Sequence, residues 1–152
     1  MVMRKGFLAC MVLGVWWLAG CAMVQSPDGQ FSTEPVPLME PQVFQCSVAK
    51  ETFKGFKPEL GNLELMFYRA RVTDHGAYWE ADVDGKQVTS PQLFKDMLGK
   101  LDGSLDPNTG ARFYRLHFTN TNPPYYSFST VNPKTGDGTG MTLFRCMQVV
   151  EK

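Results

Sequence analysis

The sequence predicts an α+β domain: a bent antiparallel β-sheet or partial β-barrel of about six strands with one helix, in the order β–ββ–α–βββ. Three observations carry this expectation. Short segments from Val43 onward alternate apolar and polar residues with the period of a strand. One stretch, residues 89–101, spaces its apolar residues as a helix does. The connections between these segments are short, which suits antiparallel neighbours.

The first strand is Val43-Phe44-Gln45-Cys46-Ser47-Val48. A hairpin follows over residues 63–83, with His75-Gly76 as its two-residue loop and the glycine supplying the positive φ of such turns. That loop sets Val72 against Trp79, Ala70 against Ala81 and Tyr68 against Val83, an apolar face that Met66 continues. The other face sets Arg71 against Glu80 and Arg69 against Asp82, opposite charges that favour the pairing. A slip of one residue would put arginines against the apolar row, so the facing is well specified. Asp84-Gly85 then turns the chain out of the strand.

The helix is expected next. Thr89 or Ser90 suits its N-cap and Pro91 its first turn. Leu93, Phe94, Met97, Leu98 and Leu101 form one stripe, Gly99 weakens the last turn, and Asp102-Gly103 ends it. A loop at residues 106–110 leads to strands at 112–119, 125–131 and 141–150, punctuated by loops at 120–124 and 132–140. Tyr114, Leu116 and Phe118 alternate with Arg115 and His117, while Tyr126 and Phe128 alternate with Ser127 and Ser129.

The N-terminal segment has a different character. Met1-Val2-Met3-Arg4-Lys5 is a short basic start, residues 6–17 are apolar and uncharged, and Leu18-Ala19-Gly20-Cys21 follows. The apolar run is shorter than the roughly 20 residues that span a bilayer. It also lacks the polar face of a core helix. The tetrad resembles the lipobox of bacterial lipoproteins. The resemblance implies a diacylglycerol thioether on Cys21, cleavage just before it and acylation of the new amino terminus. The chain then divides into a signal peptide (1–20), a lipidated cysteine with a Pro-rich tether (21–42) and a single β-rich domain (43–152). Ser26-Pro27-Asp28-Gly29, Pro35-Val36-Pro37 and Pro41 argue against regular structure in the tether. Ala22 stands where an aspartate would favour inner-membrane retention in this family, so the resemblance points to the outer membrane, on its periplasmic face or the cell surface.

Charge and cysteine use agree with export. The chain has 15 basic and 15 acidic residues. Loss of residues 1–20 removes Arg4 and Lys5 and no acid, leaving 13 against 15 and a net charge of −2. Such a balance supplies no basic field for nucleic acid. Cys10 leaves with the signal and Cys21 takes the lipid, so Cys46 and Cys146 are left to form a disulfide in an oxidising compartment. Neither has a further cysteine or a histidine at ligand spacing, which argues against metal.

No catalytic residue, cofactor or metal ligand is assigned. His75 reads as a turn residue and His117 as a surface strand residue, and no Gly-x-Ser-x-Gly elbow occurs. Glu80, Asp82 and Asp84 share a strand face, but arginines answer two of them and later calcium ligands are missing. Phe113, Tyr125 and Tyr126, beside Pro123-Pro124, are the candidate binding patch. Thr109-Gly110-Ala111-Arg112-Phe113-Tyr114 is similar to the Ser-Gly-x-x-Tyr loop of the membrane-bound inhibitors of c-type lysozyme, with Thr109 where that family has serine. On these residues the chain is expected to be a non-enzymatic binding or accessory module of the cell envelope. It is expected to be held to a membrane through Cys21 and to meet a protein partner there. The alternatives are an inhibitor of a secreted enzyme and a small-ligand carrier.

Overall fold

A computed structural model describes residues 31–96, 98–117 and 124–150. The lipobox, Cys21, Met97 and Phe118 lie outside these residues. The strands are β1 (Phe31–Pro35), β2 (Gln42–Lys54), β3 (Lys57–Pro58), β4 (Glu64–Asp74), β5 (Trp79–Val83), β6 (Lys86–Thr89), β7 (Phe94–Asp96), β8 (Leu101–Leu105), β9 (Arg112–Leu116), β10 (Tyr125–Val131) and β11 (Gly138–Gln148). All pair antiparallel in one sheet, ordered β1-β7-β8-β9-β10-β11-β2-β4-β5-β6, with β3 on β2. The sheet curls into a half-barrel. The chain itself passes from one end of this order to the other through residues 90–93. Ser90 N–H donates to the Trp79 carbonyl at 2.9 Å and Leu93 N–H to that of Ala77 at 2.7 Å, while Val36 N–H donates to the Leu93 carbonyl at 2.9 Å. Residues 31–35, in the segment expected to be a tether, form β1 against β7, and Val36 is buried.

The expected α+β class is therefore wrong. The fold is nearly all sheet, with eleven strands rather than six, and the only helical element among the described residues is a 3-10 turn at Leu60–Asn62. The helix expected over residues 89–101 is replaced by the end of β6, by β7 and by the start of β8. Between β7 and β8 the chain turns on Asp96. Its side chain accepts from Lys100 N–H at 2.9 Å and its carbonyl from Gly99 N–H at 3.3 Å, with Gly99 at φ 68°. The apolar stripe does not share a core: Leu93 is 0% exposed and Leu98 is 80% exposed. Backbone hydrogen bonds from Leu93 to residues distant in sequence outweigh the local helical spacing.

From Ala70 to Val83 the β4–β5 hairpin keeps its expected faces but not its expected register. Tyr68, expected on the apolar face, is instead exposed at φ 53° beside an irregularity in the β2–β4 pairing. Ala70 pairs with Val83, Val72 with Ala81 and Asp74 with Trp79, so the loop holds residues 75–78. Asp74 causes this. Its Oδ1 accepts from Gly76 N–H at 2.8 Å, and His75 N–H donates to the Tyr78 carbonyl at 2.9 Å. A shift of two residues leaves every side chain on its original face, which is why the alternation could not detect it. The arginines move to new partners: Arg71 pairs with Asp82 across the ladder, and Arg69 meets Asp84 at 3.2 Å. Asp84-Gly85 forms the expected turn, with φ values of 51° and 80° and Val83 opposite Lys86.

Trp79 and Tyr126, both fully buried, centre the core, with Trp79 edge-on to Tyr126 at 5.6 Å and to Phe113 at 5.8 Å. Phe44, Val48, Val72, Leu93 and Leu143 pack around them. The Cys46–Cys146 disulfide joins β2 to β11, its neighbour in the sheet, at an irregularity between Phe144 and Met147. The first long strand and the last are thus tied, as the cysteine positions implied.

Candidate functional site

Antiparallel pairing gathers the β2–β3, β5–β6, β8–β9 and β10–β11 connections at one end of the half-barrel. A cavity of about 410 Å³ lies towards this end. Inward alternation along the strands builds its wall in two tiers. The deeper tier is Val83 and Val88, with Phe128 and Met141, which face each other across the β10–β11 ladder. These side chains pack on the core, and Phe128 stacks on Phe113 at 5.9 Å. The outer tier is polar. Lys50 faces Glu64 across β2–β4, Lys86 stands opposite Val83, and Thr52 and Thr139 close the rim. Apolar depth under a polar rim, at this volume, is the composition of a small-molecule pocket. A shallower groove of about 250 Å³ on the outside, lined by Arg71, Glu80, Asp82 and Gln87, sits over the charge-matched face of the hairpin.

The opposite end is sealed by buried charge. Arg115, 3% exposed, lies between two buried carboxylates. Its Nη1 donates to Asp74 Oδ1 at 2.6 Å, while Nε and Nη2 donate to Asp102 Oδ2 at 3.0 and 2.8 Å. Tyr126 Oη donates to Asp74 Oδ2 at 2.8 Å. Burial and the adjacent carboxylate push the Tyr126 phenol well above its ordinary value, so it stays a donor. His117, at the solvent edge, places Nε2 2.7 Å from Asp102 Oδ2. Burial works against the charge on Asp102, but hydrogen bonds from His117 and Arg115, and their charges, outweigh it and hold the carboxyl below 3.8. Every buried charge here has a partner, as burial requires.

The Asp102–His117 pair resembles the orienting half of a nucleophilic triad, yet no serine, threonine or cysteine side chain bonds to His117 among the described residues. Nor does any cluster of three metal-ligating side chains occur among them. His75 lies in its turn, stacked on Tyr78 at 4.4 Å and 3.4 Å from Glu80.

The patch expected from Phe113, Tyr125 and Tyr126 is not a surface. Phe113 and Tyr126 belong to the core, and only Tyr125 is half-exposed. On β9 the inward face is Phe113 and Arg115, not the row of Tyr114 and Leu116. Thr109 is occupied in its own turn: its hydroxyl donates to Asp106 Oδ2 at 2.7 Å, and with Asn108 it holds the Asp106 carboxyl below the usual range. Sequence reasoning missed Asp74, Asp102 and Arg115, and it missed the cavity. The one available signal was that Arg115 shares a strand face with the aromatic Phe113. Comparison of the chain with protein-family models, curated proteins and solved structures finds no match.

Proposed function

We propose that this chain is a membrane-anchored envelope lipoprotein, held through lipid on Cys21, that acts as a non-enzymatic binding module and takes a small ligand into its half-barrel. The cavity carries this reading: about 410 Å³ with Val83, Val88, Phe128 and Met141 in its depth and lysines at its rim. The far end supports it, because the Asp74–Arg115–Asp102 cluster and the core aromatics close that side. The disulfide suits an oxidising compartment. The ligand-carrier role therefore leads over the inhibitor role, whose Thr109 hydroxyl is engaged by Asp106. A protein partner in the envelope would then receive or deliver the ligand.

The test is to purify the chain from membranes, weigh its mature amino terminus and identify small molecules extracted from it. The proposal expects lipid on Cys21 and a stoichiometric apolar compound that Val88→Phe, which fills the cavity, loses. An unmodified Cys21 would refute the anchor, and an empty protein with intact disulfide would refute the carrier.

A further inference from the structure

The charges facing into the cavity define its ligand more narrowly. Beyond Val48, inward alternation on β2 reaches Lys50, and beyond Met66 on β4 it reaches Glu64, directly opposite. On β6 the same face carries Val88 and then Lys86. Glu51 also lines the cavity, but it pairs with Gly140 at the alternate, outward-facing position of β2. The ionisable side chains that alternation turns inward at the mouth are thus Lys50, Lys86 and Glu64. Lys50 and Glu64 are 4.0 Å apart with exposed side chains, an arrangement worth little and easily opened. Lys86 has no ion pair among the described residues. Among the inward-turned side chains Lys86 is left without a countercharge, above an apolar floor.

Resting on the cavity as the binding site, we infer that the ligand is a single-chain monoanionic amphiphile, such as a medium-chain carboxylate. Its chain lies against Val83, Val88, Phe128 and Met141, and its oxyanion pairs with Lys86. A cationic head would meet Lys50 and Lys86, and a neutral one would leave Lys86 unanswered. The surroundings of the mouth agree with an apolar tail. Asn62 lines the rim, and its neighbours Leu60 and Leu63 expose 82% and 44% of their surfaces.

Photolabelling of the full chain in its own membranes tests this. Three decyl probes carrying a diazirine on the chain are compared: a carboxylate, an alcohol and a quaternary ammonium. Adducts are mapped by mass spectrometry. The carboxylate should label residues 83–88 and 128–141, and unmodified decanoate should compete. Lys86→Glu should cut that labelling about threefold and leave labelling by the alcohol unchanged. Val88→Phe and, at the more exposed rim, Thr139→Trp should abolish labelling by all three, with the Cys46–Cys146 bond intact as a check of folding. Equal labelling by the ammonium probe, or no effect of Lys86→Glu, overturns the anionic assignment and leaves the cavity as the site. Adducts elsewhere, or none in the cavity with any probe, overturn both.

Discussion

Replacing Arg115 with methionine should be among the most damaging changes available to this fold. The guanidinium is 3% exposed and answers Asp74 and Asp102, which are 3% and 5% exposed. Methionine fills similar space but leaves two carboxylates buried without a countercharge. Tyr126 and the Gly76 amide still serve Asp74, and His117 still serves Asp102, so each anion keeps a donor but loses its cation. Removing one partner of a buried ion pair costs about 3–5 kcal/mol. At roughly 4 °C per kcal/mol, this lowers Tm by roughly 12–20 °C. Chemical denaturation, followed through the buried indole of Trp79, measures it directly. The loss should shrink as pH falls, because the unpaired carboxylates escape their penalty by protonation. Replacing Asp74 and Asp102 by asparagine alongside Arg115→Met should recover most of the stability. A single variant within about 1 kcal/mol of the parent, below even the net worth of a charged hydrogen bond, would refute the account, as would a loss that grows in acid.

Asp102 gives the parent protein a second pH signature. Its carboxyl is held below 3.8, so its stabilising contribution is complete above that value and is lost as pH falls through the lower folded-state value. Asp102→Asn should therefore weaken the acid limb of a stability-against-pH profile, and an unchanged limb would count against the pairing. Changing both Cys46 and Cys146 to serine should cost roughly 4–5 kcal/mol, since the bond closes a separation of 100 residues; an unchanged denaturation midpoint would contradict this. Gly76 has φ 77°, and a Cβ there would meet Met39 Cγ at 2.5 Å and the Pro37 carbonyl at 2.6 Å. Gly85, at φ 80°, has open space around it. Thermal melts should show Gly76→Ala losing about 1–3 kcal/mol and more than Gly85→Ala, which bears only the backbone term; equal losses would remove the packing argument.

Two regions show how far local pattern reaches. In the hairpin, alternation assigned Ala70, Val72, Trp79, Ala81 and Val83 correctly to the interior, yet the ladder is shifted by two residues because Asp74 holds a four-residue loop. Period two cannot register a shift of two. Over residues 89–101 the apolar spacing satisfied a helix, but a helix needs a neighbour for its stripe. The sheet instead buries Leu93 through Ala77 and Val36, takes Phe94 and Leu101 into β7 and β8 half-buried, and leaves Leu98 in water. The cavity was illegible for a related reason. Lys50, Lys86, Phe128 and Met141 come from four strands and have no common spacing.

What the sequence determined by itself is whatever depends on near neighbours or on residue chemistry. Alternation set the inward faces of the hairpin and β10, Asp84-Gly85 set a turn, and the count of cysteines left Cys46 and Cys146 to pair. The tertiary structure alone decided what depends on distant partners. It converted a helical pattern into strands, brought Asp74 and Asp102 to either side of Arg115, and curled the sheet so that one end closes on paired charge while the other keeps an open cavity. A buried arginine is stable only once both carboxylates arrive, and they arrive from residues 41 and 13 positions away along the chain.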